Sequence, residues 1–349
     1  MKIIAALDGS RHSSATLNFL LSYHWPAGSW IKLVHVLPCE RGLMNYVMHA
    51  FGQENECDTE NVSLILAGIA DELARSMHNV SVSSEVLSGD PVDSILSFAG
   101  TFHPDLMVTG CRKKTAVDSI LLGSVSQRLL EGMNCPVAIV RGDSVRLDPD
   151  RGSNVLVAVD DSEHSAAAVE WLQWQEWMKQ SHIALLSVTE PLHQSLMDGV
   201  KSASDHLLTY QAEKMLIESL LEKWGTFIQH GGNAREITRG TVDGSPSETI
   251  LNGAKNWPAN LIVMGAHGRT GIAKIMMGSV SQHISTHANC TVLIVKGVES
   301  RLYDFDRTKI LDSMVLDDIA AEQTKPGPSG IPASNWTGSS GHSPPTGLF

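Results

Sequence analysis

The chain alternates short, continuous apolar runs with longer stretches in which apolar residues recur at helical spacing. In its first half the runs are IIAAL from Ile3, IKLVHVL from Ile31, VSVSSEVL from Val80, DLMVTG from Asp105 and PVAIV from Pro136. In its second half they are VLVAV from Val155, IALLSV from Ile183, a weaker REITRG from Arg235, NLIVMG from Asn260 and TVLIV from Thr291. Continuous Val, Ile and Leu runs separated by helices predict parallel strands covered on both faces. Each half is therefore expected to be a doubly wound α/β domain with right-handed crossovers.

The two halves also resemble one another. KIIAALDGSRHSSATLNFL from Lys2 aligns with NVLVAVDDSEHSAAAVEWL from Asn154, which matches Asp8 with Asp160 and His12 with His164. GDPVDSIL from Gly89 aligns with GSPSETIL from Gly244, LGSVSQ from Leu122 with MGSVSQ from Met277, and NCPVAIVRG from Asn134 with NCTVLIVKG from Asn289. A duplication of this kind changes how every motif is read. It divides the chain into a first domain over 1–147, a second over 148–300, and a Pro, Gly and Ser-rich tail over 301–349 whose composition predicts a flexible segment.

Composition narrows the function. Apolar residues make up 42% of the chain and charged residues 18%, as in an ordinary globular protein. No apolar run reaches the roughly 18 residues of a membrane span, and a strand beginning at the third residue leaves no room for a leader, so a cytoplasmic location is expected. The net charge of −12 argues against a nucleic-acid backbone as partner. Five scattered cysteines (39, 57, 111, 135 and 290) read as free thiols in a reducing compartment.

In an open parallel sheet, ligands bind beyond the carboxyl ends of the strands. Asp160 ends the first strand of the second half and Gly265 ends its fourth, so both should face one crevice. Gly265 and Gly268 let backbone approach a ligand, and Gly278 with Ser279 opens a helix whose free N–H groups favour an anion. Asp160 suits a ribose hydroxyl or a metal-bound water. Together these residues describe a nucleotide site, although neither a P-loop nor the dinucleotide G-x-G-x-x-G is present.

AVDDS after a strand, then G-x-x-G, nine residues, G-S before the last helix and NC-T-VLIVK resemble a universal stress protein domain of the UspA family, here in tandem over 1–142 and 154–297. The resemblance implies Rossmann-like domains of the adenine nucleotide alpha hydrolase type, each with a five-stranded parallel sheet in order 3-2-1-4-5. It implies ATP with magnesium in members that carry the glycine motif, a regulatory part in stress response, and pairing of the last strands, as VAIVR beside VLIVK. Carried over, the ATP-binding set is Ala158, Asp160, Val188, Met264, Gly265, Gly268, Gly278 and Ser279. The first half keeps Ala6, Asp8, Val36, Gly110, Gly123 and Ser124, but Thr109 replaces the methionine and Lys113 the middle glycine, which predicts loss of ATP there. Arg112, Lys113 and Lys114 would suit a different anion.

Plainer readings stand beside these. The glycines alone would serve as tight turns. His283, His287 and Cys290 have ligand-like spacing, but a buried Cys290 and a missing fourth partner favour structure over zinc. Trp171, Trp174 and Trp177 follow helical spacing and predict core or interface packing. His12 and His164 read as first-turn surface residues, and His267 lies in the loop with no assigned role. No paired carboxylates or activated nucleophile point to fast catalysis, so no catalytic residue is assigned. A slow ATPase or phosphotransferase, a nucleotide-independent scaffold, and a homodimer rather than a pairing of two halves remain the alternatives.

Overall fold

A computed structural model describes residues 1–10, 13–37, 59–111, 122–141, 152–175, 179–189, 203–232, 234–268, 277–298 and 300. Lys113 and its basic neighbours, His12, Trp177, Cys39, Cys57 and the tail from 301 lie outside them. The chain forms two compact units, Met1–Pro149 with Asn289–Gly297, and Asp150–Ala288 with Val298–Phe349.

In the first unit, strands β1 (Lys2–Ala6), β2 (Ser29–Leu37), β3 (Val80–Ser88), β4 (Leu106–Gly110) and β5 (Val137–Val140) alternate with helices α1 (Ser13–Ser22), α2 (Thr59–Ser76), α3 (Pro91–Phe102) and α4 (Ser124–Gly132). The strands lie in the order β3-β2-β1-β4-β5, all parallel. This is the predicted 3-2-1-4-5 order. The run from Ile3 to Ala5 is wholly buried, as are Ile31, Leu33, Val34, Met107 and Val108. Burial on both faces explains why these strands read as continuous apolar runs rather than alternating ones.

Local chemistry sets the helix ends. Asp90 caps α3 by accepting hydrogen bonds from the backbone N–H groups of Val92 and Asp93, each at 3.0 Å, and Pro91 stands at the first helical position. Val92, Ile95 and Ala99 then bury one face at i, i+3, i+7 spacing. These residues belong to the GDPVDSIL block that the sequence repeats as GSPSETIL, and Pro246 opens the corresponding helix.

The second unit contains β6 (Asn154–Ala158), α5 (Glu163–Gln173), β7 (His182–Thr189), α6 (Ala203–His230), β8 (Glu236–Asp243), α7 (Pro246–Asn256), β9 (Leu261–Gly265) and α8 (Ser279–His287). Its strands are parallel in the order β9-β6-β7-β8, the same winding as in the first unit. The weak run REITRG forms β8, whose residues are mostly half-buried.

The last strand of the repeat, β10 (Thr291–Val295), packs within the first unit. It runs antiparallel to β5, with Val292 opposite Ile139, Leu293 opposite Ala138 and Ile294 opposite Val137. This is the pairing of VAIV with VLIV that the resemblance implied. Lys296 Nζ fixes the strand's end by donating to the carbonyls of Leu130 and Glu131 at 2.5 and 3.0 Å, where the C-terminus of α4 favours a cation. Beyond it Gly297 has φ +67°, and a β-carbon there would stand 1.9 Å from the carbonyl oxygen of Asn134. Only glycine fits that turn without displacing backbone.

Candidate functional site

At the carboxyl end of the second unit's sheet, β6 and β9 lie side by side with Ala158 opposite Met264. Both side chains are buried, and they form the floor from which the chain turns into two loops. Asp160 follows β6 and is held by the start of α5. Its Oδ1 accepts from the backbone N–H of Ser162 at 3.1 Å and from Ser165 Oγ at 2.7 Å, while its own N–H donates to Ser165 Oγ at 3.0 Å. Ser162 caps α5 by accepting from the N–H of Ser165. The carboxylate is therefore oriented through one oxygen.

The glycines approach that helix closely. A β-carbon on Gly265 would stand 2.7 Å from the backbone carbon of His164, so any side chain at the end of β9 would push α5 away. A β-carbon on Gly268 would stand 2.7 Å from Asp160 Oδ2. Two motifs more than a hundred residues apart in sequence thus meet at one point, where only bare glycine backbone lets the loop lie this close to α5 and the carboxylate.

The second loop closes back onto α8. Gly278 N donates to the carbonyl of Ala266 at 2.9 Å, and Ser281 Oγ donates to the carbonyls of Ala266 and Gly278 at 2.6 and 2.9 Å. These bonds hold Ala266 against the N-terminus of α8, where Ser279 is exposed in the first turn. Val188 is half-buried near the end of β7, in register with Val242. The rings of His164 and His267 lie 4.8 Å apart, which brings a helix residue and a loop residue together that the sequence did not connect.

Ser165 and a polar cluster at the ends of β7 and β8 were not picked out in the sequence. Ser165 was legible, since Asp160 and Ser165 repeat Asp8 and Ser13, and Ser13 Oγ bonds Asp8 Oδ1 at 3.0 Å in the first unit. Tyr210, on α6, and Asp243, at the end of β8, were not. Thr189 Oγ1 donates to Asp243 Oδ1 at 2.5 Å, and Tyr210 shares a hydrogen bond with the same carboxylate. Burial opposes the charge on Asp243, but these hydrogen bonds and the Lys214 ammonium outweigh it and hold the carboxyl below its ordinary range. Tyr210 is pushed up to about 12, by burial first and then by its hydrogen bond to Asp243 and that residue's charge.

Some packing expectations change. Trp174 is 72% exposed, so the core reading of the tryptophan series does not hold for it: it terminates α5, one residue past the last helical turn. Trp171 is half-buried. Cys290 is buried just before β10, and the rings of His283 and His287 stack at 4.1 Å.

In the first unit Ala6, Asp8, Val36, Gly110, Gly123 and Ser124 line one crevice of about 420 Å³, together with Thr109. Ser126 Oγ donates to the carbonyl of Gly110 at 2.8 Å, a bond like that of Ser281 in the second unit.

The profile of the universal stress protein family matches residues 1–141 and 153–296, which covers both copies and most of the chain. The chain belongs to the universal stress protein family. It is similar to a universal stress protein of Mycobacterium tuberculosis, 24% identical over 296 residues that cover 84% of this chain and 96% of the relative. The Bacillus subtilis universal stress protein YxiE is 28% identical over 152 residues, 41% of this chain and 99% of that protein, as expected where one copy is matched. Among solved structures, a universal stress protein from Archaeoglobus fulgidus shares the fold with a TM-score of 0.58 at 20% identity, covering 85% of this chain and 98% of that one. The tandem arrangement is therefore shared with other universal stress proteins. Among the described residues, no helix is long and apolar enough to cross a membrane, and no group of three or more His, Cys, Asp or Glu is gathered for a metal ion.

Proposed function

We propose that this universal stress protein is a nucleotide-dependent regulator that binds ATP, with magnesium, in the crevice of its second copy. The observation that carries this reading is the apposition of Gly268 with Asp160, where a β-carbon would stand 2.7 Å from the carboxylate. Bare loop backbone beside an oriented carboxylate suits a ligand with a hydroxylated sugar at one end and phosphates at the other. Asp160 accepts from the ribose or from a water on the magnesium, Ala158, Val188 and Met264 form the apolar floor, and Gly265, Gly268, Gly278 and Ser279 surround the phosphates. The nucleotide acts on the protein only through its different affinity for two conformations or partner states.

The reading is tested by titrating ATP into the full chain with magnesium present. Saturable binding that Asp160→Ala weakens about tenfold or more supports it. Absence of binding would favour a nucleotide-independent scaffold, and steady ADP release abolished by Asp160→Ala would favour a slow ATPase.

A further inference from the structure

The last two turns of α8 carry a pair of histidines that its counterpart α4 lacks. Aligning LGSVSQRLLEGMNC from Leu122 with MGSVSQHISTHANC from Met277 sets His283 against Arg128 and His287 against Gly132. Both histidines are exposed, and their rings stack with centroids 4.1 Å apart and planes 23° from parallel. Residues four apart are neighbours on one helix face, so the two imidazoles stand side by side over a single turn. Cys290, which shares their spacing in the sequence, is buried and lies apart from this exposed pair.

The local chemistry of the pair suits a metal ion. His287 Nδ1 lies 2.9 Å from the carbonyl oxygen of His283. A carbonyl can only accept, so Nδ1 carries the proton and Nε2 keeps its lone pair. Metal-ligating histidines adopt this arrangement, because the bond to the carbonyl fixes the tautomer and the ring's orientation and raises its basicity. The pair also stands at the C-terminal end of α8, where the unpaired carbonyls of the helix favour a cation. An ion bonded at about 2.0–2.1 Å to both rings holds the two nitrogens roughly 3 Å apart. Rings already stacked at 4.1 Å reach that spacing by small rotations.

The first copy shows what the histidines replace. There Arg128 lies 3.6 Å from Asp90 Oδ1 and 3.4 Å from Asp93 Oδ1, so the start of α3 is matched by a fixed cation on α4. In the second copy Asp90 becomes Ser245 and Asp93 becomes Glu248. One acid is thus kept in the first turn of α7, which packs against α8. The arginine is not kept, and a bound cation restores its charge.

We infer that His283 and His287 form a binding site for one divalent transition-metal ion, such as nickel, copper or zinc, with water at its remaining positions. Imidazole nitrogen selects these ions over magnesium. Held across one turn, the ion clips the end of the helix whose first turn carries Ser279. The inference stands apart from ATP binding, since neither histidine belongs to the nucleotide set.

The test titrates nickel chloride into the full chain, free of nucleotide, by calorimetry. A saturable site is expected that equimolar magnesium does not displace. His283→Arg, which installs the first copy's residue, and His287→Gln each remove one ligand from an exposed position. Each should weaken the site about tenfold or more, since loss of even an outer partner of a ligand costs that much. Nickel should also raise the melting temperature of the unaltered chain more than that of either variant. His230→Gln is the control. His230 is exposed and its Nδ1 likewise meets a carbonyl one turn back, at 2.8 Å, but the residue there is Thr226. That substitution should leave nickel binding unchanged. Absence of a saturable nickel site, unchanged affinity in either the His283 or the His287 variant, an equal loss in His230→Gln, or displacement of nickel by equimolar magnesium would each overturn the inference.

Discussion

Gly268 faces Asp160 so closely that a β-carbon on the glycine would stand 2.7 Å from the aspartate's Oδ2. The contact joins the first strand's turn to the loop after the fourth. Even the smallest side chain must displace either the loop or the carboxylate. Gly268→Ala is expected to weaken ATP at least about tenfold, and Gly268→Lys about a hundredfold or more, which corresponds to roughly 3 kcal/mol. Equilibrium binding to the full chain measures both. Because Gly268 is exposed, neither change should lower the melting temperature much.

Ser165 acts on the ligand through Asp160. Its hydroxyl donates to Oδ1 and accepts from the aspartate's N–H, at 2.7 and 3.0 Å. Ser165→Ala is expected to cost about 1 kcal/mol of binding, or roughly fivefold in the dissociation constant, by loosening the carboxylate. Ser165→Thr retains the hydroxyl and tests whether the oxygen or the small volume matters. An unchanged affinity in the alanine protein would show that Asp160 is held without it.

Gly297 and Gly28 offer a matched comparison in stability. Both have positive φ, +67° and +78°, but a β-carbon meets the Asn134 carbonyl at 1.9 Å in one case and nothing within 4 Å in the other. Gly28→Ala should cost about 1 kcal/mol of strain, and Gly297→Ala about 3 kcal/mol or more because the backbone must also shift. Urea unfolding of the two proteins gives the comparison directly. Failure of Gly297→Ala to be the more damaging would mean that β10 is not anchored as described.

The cluster at Asp243 predicts a pH dependence with a definite sign. Its carboxyl lies below the ordinary range in the folded chain, so its contribution to stability is complete above the unfolded value, near 4, and is lost as pH falls through the folded one. Tyr210→Phe removes one hydrogen bond and should raise the Asp243 pKa, as read by NMR titration of the carboxyl carbon. Conversely, Asp243→Asn should lower the Tyr210 pKa from about 12 only part of the way to 10, since burial is its largest cause and persists. Ultraviolet titration of the phenol measures this.

What was legible in the sequence was whatever repeats locally. Buried parallel strands leave continuous apolar runs, so β1 and β6 could be read from IIAAL and VLVAV. Their turns carry the same Asp and Ser in both copies, and the pairing of β5 with β10 followed from the family resemblance. Groups that depend on neighbours from distant elements left no such trace. Tyr210 meets Asp243 across α6 and β8, and neither residue belongs to a motif. Thr16 reads as one more residue of a helix until its hydroxyl is found buried without a partner. Trp174 kept helical spacing, yet the helix ends at it and leaves the ring exposed. Periodicity finds elements; the matching of polar groups between elements has to be seen.

The packing of β10 into the first unit also decides how function should be measured. Cutting the chain near residue 148 would separate β5 from the strand it pairs with, so separate halves are poor substitutes for the whole protein. The most direct test of the account is the stoichiometry and affinity of ATP for the full chain, by calorimetry with magnesium present, compared with the Gly268→Lys protein. The account predicts one ATP per chain in the unaltered protein and no saturable ATP binding of similar affinity after the substitution. Two equivalent ATP sites, or an affinity that survives Gly268→Lys, would contradict it.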